Sequence, residues 1–273
     1  MRRFVLLLIF CCSAIVTAPA LADMPRFVAA DTALDVCTTQ NPAFTTDDLS
    51  GITSPCAAPP GTLIIEMLYY QNASRVGGTA LAAYPLVRLQ TGIVRHLEVV
   101  LDTPSQVAES GLAGTGLYPT THAGYGLNYT FASNARMAAS AGVELVPPSS
   151  RFVVDQTQPK YMLTATIGYR AASRVTLSAT VTGTSSGAVG FNRITPSAAV
   201  RLAYDFGAKT QVSWDIGARF VVRHAVAQSY GDIAVNQQLR KNLTFAVGLG
   251  TTFNPVSDAK AHYLASGFNL QVK

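Results

Sequence analysis

The sequence predicts an all-β fold: an antiparallel transmembrane β-barrel of about twelve strands, with short turns on one rim and longer loops on the other. Three observations predict it. Hydrophobic residues are 49% of the 273 and charged residues only 13%, about half the charge of a soluble domain. Past the first segment, no stretch approaches the ~18 consecutive apolar residues that a membrane helix needs. From Thr62 onward, apolar and small polar residues alternate with period two, the period of a strand. This composition excludes a disordered chain, which needs low hydrophobicity and high charge. It also fits an ordinary soluble enzyme poorly.

Residues 1–22 read as a signal peptide rather than as fold. Arg2 and Arg3 are a positive start, Phe4 to Val16 an apolar run, and Ala20-Leu21-Ala22 a small-x-small cleavage site. The run is too short for a membrane anchor and is closed by Pro19. A lipid anchor on Cys11 or Cys12 would need small residues before the cysteine, and Phe10 is not small. The formal net charge is +5, and losing the two arginines leaves +3. That is too mild for a nucleic-acid partner, and no basic run appears.

Residues 23–61 form an N-terminal segment, expected in the periplasm or as a plug inside the barrel. Cleavage would leave two cysteines, Cys37 and Cys56, in a turn-rich stretch. In an exported chain a disulfide is the expected reading. It would close a loop of roughly 20 residues and stabilise it by ~3 kcal/mol in the chain-entropy model. No metal site is expected, because no histidine precedes His96 and two thiolates do not complete a zinc site. No cofactor is expected either.

The barrel is expected over 62–273. In Val175 to Thr182, Val175, Leu177, Ala179 and Val181 point one way, and Thr176, Ser178, Thr180 and Thr182 the other. The pattern repeats around Leu127, Trp214 and Val247. The segments fall at roughly 62–71, 82–91, 95–102, 121–132, 136–146, 160–170, 173–184, 196–206, 210–222, 231–239, 243–253 and 261–272. Most match the ~9–11 residues of a tilted strand crossing a bilayer, not the five or six of a globular strand. Turns near Gly92, Asn134, Ala172, Ala208 and Lys241 are short. The other connections are longer, 103–120 the longest. Short turns on one rim and long loops on the other are the habit of outer-membrane barrels.

The charges decide which face looks inward. An arginine facing lipid near the midplane costs ~2–4 kcal/mol. Opposite charges across a ladder instead stabilise by ~0.2–1 kcal/mol. Turns at 92–94 and 207–209 would set Arg88 opposite Glu98 and Arg201 opposite Asp215. Arg136, Glu144, Asp205 and Arg219 share that polar face, so all eight are candidate lumen residues. They either fill the lumen with ion pairs or contact a solute. Tyr69, Tyr129, Tyr169, Tyr204, Trp214, Phe245 and Phe268 are expected on the lipid side.

The hairpin from Pro85 to Leu101, with Arg88, Gly92, Leu97 and Glu98, resembles a recurring hairpin of one family. That family is the group of outer-membrane barrels labelled for the meta-pathway of phenol degradation. A Gly-rich stretch (Gly111, Gly114, Gly116) leading to Gly126 and Tyr129 is similar, as are Ala138 to Pro148 and the opening Pro60 to Leu63. The departures are Leu89-Gln90-Thr91, where the family usually has Tyr-Gly-Leu, and a final residue, Lys273, that is not aromatic. The resemblance covers about 59–273. It implies passage of small solutes, aromatic or hydrophobic ones among them, across a bacterial outer membrane.

Other chemistry is thin. Gly111 to Gly116 lacks the helix and Lys-Ser/Thr of a phosphate loop. The four histidines, 96, 122, 224 and 262, are scattered. His122 would lie about six residues, or ~20 Å, from Ser140 along a strand, too far for a nucleophile and its base. The leading expectation is therefore a channel or transporter-like barrel. Its partners would be outer-membrane lipid, the barrel-insertion machinery and an unnamed small solute. The alternatives are a non-transporting barrel acting through its loops and, third, a lipid-acting enzyme using His262.

Overall fold

The computed structural model describes residues 35–38, 53–74, 80–103, 106–111, 114–119, 123–147, 159–186, 194–221, 226–254 and 259–272. The expected signal peptide lies outside the described residues. The strands are β1 (Leu63–Ser74), β2 (Ala80–Val94), β3 (Leu97–Asp102), β4 (Gln106–Gly111), β5 (Gly114–Pro119), β6 (Gly124–Ser133) and β7 (Met137–Val146). They continue as β8 (Lys160–Ala172), β9 (Val175–Ser186), β10 (Ile194–Asp205), β11 (Thr210–Val221), β12 (Val226–Arg240), β13 (Leu243–Asn254) and β14 (Ala259–Val272).

Strand pairing follows chain order and is antiparallel throughout. β1 pairs with β2 on one side and β14 on the other, which closes the sheet. With β4 and β5 set apart, the ring is a closed barrel of twelve strands. Closure removes the unpaired edges that an open sheet would carry. All twelve ring strands match the segments expected from the alternation.

The connection at 103–120, expected as a loop, differs. β2 is long enough to pair twice, its Arg88–Val94 half with β3 and its Ala80–Tyr84 half with β4. β4 folds back on β5 as a hairpin whose last pair is Gly111 and Gly114. The wall thus continues beyond the rim at this point. Elsewhere on the same rim β11 runs to Val221, β12 starts at Val226, β13 runs to Asn254 and β14 starts at Ala259.

The opposite rim has tight turns at 95–96, 134–136, 173–174, 206–209 and 241–242. Four ladders shift register just before it, at Gly92/Val94, Thr130/Ala132, Arg170/Ala172 and Gln238/Arg240. One such shift corrects an expected pair. β2 runs to Val94, the turn is only Arg95-His96, and His96 takes a left-handed φ of 70°. With the bulge at Ile93, Arg88 faces Asp102 and Gly92 faces Glu98. The Arg201–Asp215 pair stands as expected.

The two faces separate cleanly. On β11, Gln211, Ser213, Asp215 and Gly217 are buried, while Trp214 and Ile216 are exposed, Ile216 at 69%. Leu127, Tyr129, Leu163, Tyr169, Val181, Leu202, Leu249 and Phe268 lie on the same outer surface. Each of the seven aromatics expected to face lipid has outward parity. Phe245 and Phe268 pack there with ring centroids 5.0 Å apart. The inward face carries Thr, Ser, Asn, Gln and charge. Gly217 and Gly250 are bare because the rings of Tyr230 and Tyr263 lie across them where a Cβ would stand.

Candidate lumen site

Residues 53–62 form a strap along the inner wall, just before β1 begins. Its contacts follow the ring in order. Thr53 Oγ1 meets Thr166 Oγ1 of β8 at 2.6 Å, and Ser140 Oγ of β7 donates to the Ser54 carbonyl at 3.3 Å. Thr130 of β6 donates to the Pro55 carbonyl at 3.2 Å and accepts the Ala57 amide at 2.8 Å. The Ala58 amide donates to Glu98 Oε2 of β3 at 2.7 Å. Finally Ala58 and Pro59 press on Gly92 of β2, where a Cβ would collide with both carbonyls. The strap therefore crosses β8, β7, β6, β3 and β2, five neighbours in the ring.

A disulfide joins Cys37 to Cys56, 19 positions apart, with Cα atoms 5.4 Å apart. Residues 35–38 are held at the turn between β6 and β7. The Val36 amide donates to the Asn134 carbonyl at 2.9 Å, and Ser133 Oγ donates to Asp35 Oδ2 at 2.7 Å.

Above the strap, Arg88 holds two carboxylates. Its Nε and Nη2 reach Asp102 at 2.8 and 3.1 Å, and Nη2 reaches Glu144 at 3.0 Å. Glu98 also accepts from Asn128 Nδ2 at 2.9 Å. The cavity among Thr53, Arg88, Glu98, Asn128, Glu144 and Thr164 is about 40 Å³. A single water needs roughly 10–15 Å³ of such space, so this recess has room for a few waters.

A second charged cluster lies on the far wall, since β3 and β11 are six steps apart around the ring. Arg201 grips Asp215 through two bonds of 2.9 and 3.1 Å, and both side chains are buried. Asp215 stands directly opposite Asp232 of β12. Tyr263 of β14 donates its hydroxyl to Asp232. Tyr230, two residues before Asp232, points to the same side.

Of the eight expected lumen residues, Arg88, Glu98 and Glu144 fall in the first cluster, and Arg201 and Asp215 in the second. Asp205 lies near the short-turn rim and accepts from Gln211 Nε2 at 2.7 Å. Arg219 has inward parity but is exposed near the far end of β11. Arg136 is displaced from the wall: it sits exposed in the 134–136 turn, where Asn134 Oδ1 accepts its amide. Asp102, Asp232, Tyr230 and Tyr263 join the clusters unforeseen. Strand parity alone would have placed the last three.

The histidine worth checking for catalysis is on the outer face. His262 Nδ1 lies 2.9 Å from Thr251 Oγ1. Among the described residues no acid orients the ring, as a nucleophile–base pair requires.

No protein-family model and no curated protein matches this chain. Solved structures do. The chain is similar to an outer membrane channel from Pseudomonas putida F1, with TM-score 0.62 and 12% identity over 79% of this chain and 97% of that one. It is also similar to the NanC porin, with TM-score 0.53 and 6% identity over 75% of this chain and 98% of that one. Identities this low carry the barrel fold and nothing finer.

Proposed function

We propose that this protein is a channel of the bacterial outer membrane through which small polar solutes diffuse. The observation that carries the reading is the two-faced ring, apolar outside and hydroxyl-, amide- and charge-lined inside. A wall that met lipid on both faces would not hold Arg201 and Asp215. The short-turn rim lies on the periplasmic side, as in other such barrels, and the strap enters from there. Insertion machinery would deliver the chain to its lipid. The resemblance of the 85–101 hairpin implies aromatic or hydrophobic solutes as well. The polar inner wall supports polar ones as the first to test.

Twelve strands lie between eight, where side chains fill the interior, and sixteen, which leave an aqueous channel. The strap narrows that space further, so the expected conductance is small. The strap also supports a second reading, a barrel that binds or scaffolds through its extended β4–β5 hairpin and passes nothing. Purified protein in planar bilayers separates the two. Discrete ion-conducting steps are expected. No conductance, in the native protein or in one with the strap loosened by Glu98→Ala, would leave the second reading.

A further inference from the structure

We propose that Asp232 is the centre of a binding site for organic ammonium solutes on the β11–β14 wall. The proposal rests on the channel reading and names the solute class that this channel would favour. Three observations carry it.

The first is charge. Asp215 and Asp232 face each other across one rung, and among the described residues Arg201 makes two hydrogen bonds to Asp215. Among the described residues, Asp232 has a neutral donor, Tyr263, and no ion-pair partner. Like charges directly opposite in a ladder are unfavourable. A visiting cation would remove that penalty.

The second is unused hydrogen-bonding capacity. Among the described residues, Ser213 Oγ is buried with no hydrogen-bond partner. Ser213 lies two residues from Asp215 on the same face of β11, the strand paired with that of Asp232. Buried hydroxyls normally find a partner. An ammonium N–H, donating to that oxygen, supplies one.

The third is the aromatic flank. Tyr230 and Tyr263 lie over Gly217 and Gly250, on the two sides of Asp232. A cation within about 6 Å of a ring face is attracted to it. A carboxylate between two phenol rings, open to the lumen because Asp232 is only half-buried, suits a primary amine better than an inorganic anion.

The test uses 1,4-diaminobutane on the full exported chain, in two arms. Calorimetry in detergent reads binding, and current in planar bilayers reads passage and block. The expected result is saturable binding and a potassium current that the diamine reduces. Asp232→Asn keeps the shape and the Tyr263 bond, and should weaken binding and block by about tenfold or more, the loss expected when a charged hydrogen bond becomes neutral. Ser213→Ala should weaken them by about threefold. Current without diamine binding, or equal binding by native protein and Asp232→Asn, would overturn the site and leave the channel. Binding lost in Asp232→Asn without any current would uphold the site and overturn the channel. Neither binding nor current would overturn both.

Discussion

The Ala58 amide donates to Glu98 Oε2 at 2.7 Å, and this bond ties the N-terminal strap to the third strand of the chain. It also gives a role to two residues of the 85–101 hairpin. Glu98 receives the strap, and Gly92 leaves the space into which Ala58 and Pro59 fit.

Breaking that contact should free the strap without opening the ring. Glu98→Ala strands a buried amide, at a cost of about 1–3 kcal/mol. Gly92→Val removes no hydrogen bond but drives a side chain into the strap's backbone. Both should speed hydrogen exchange at Ala57 and Ala58 by about tenfold or more. Exchange in β9 to β13 should not change. Unaltered exchange at Ala57 and Ala58 in both variants would mean that the strap is held by something else.

Reduction of Cys37–Cys56 should act on the same amides. The disulfide closes a loop of about 20 residues, worth ~3 kcal/mol in the chain-entropy model. No ring strand contains either cysteine. Exchange at Ala57 should therefore quicken under a reductant, while the heat-dependent gel shift of the folded barrel stays as it was.

Arg201→Ala should be worse than losing its partner too. Removing one member of a buried ion pair leaves an uncompensated charge and costs about 3–5 kcal/mol. Here two carboxylates, Asp215 and Asp232, would remain face to face. Arg201→Met with Asp215→Leu should recover most of the loss. Urea unfolding from lipid vesicles measures both, and equal losses would show that the pair does not act as a unit.

The outer face has its own check. Ile216→Arg places a charge near the middle of β11 on a side chain that is 69% exposed. In a bilayer that costs ~2–4 kcal/mol, whereas on a surface facing water it would be nearly neutral. Unfolding free energies in vesicles distinguish the two.

The ring was legible because each strand repeats one simple rule over ten or more residues. Leu127, Trp214 and Val247 announce their faces through their neighbours. Register was less legible, since it hangs on single residues at the turns. A turn at 95–96 in place of 92–94, with a one-residue bulge at Ile93, moved Arg88 from Glu98 to Asp102. The β4–β5 hairpin was hidden because Gly111, Gly114 and Gly116 read as loop, while a backbone ladder accepts any residue whose amide can pair. Asp232 and Tyr263 sit on expected strands, but their meeting depends on two ladders holding register across β12, β13 and β14. Arg136 was misplaced because alternation was extended into a turn, where it no longer applies.

The covalent link between Cys37 and Cys56 also sets how mechanical load would travel. A pull on the chain ahead of Asp35 first loads the bonds of Asp35 and Val36 at the β6–β7 turn, and once these yield it passes from Cys37 to Cys56. Thr53 and Ser54 are left slack, and the amides of Ala57 and Ala58 bear the tension one after the other, peeling from β6 toward β2. A tug from the periplasm would thus unfasten the hoop like a zip, stave by stave, and not shear all its fastenings at once.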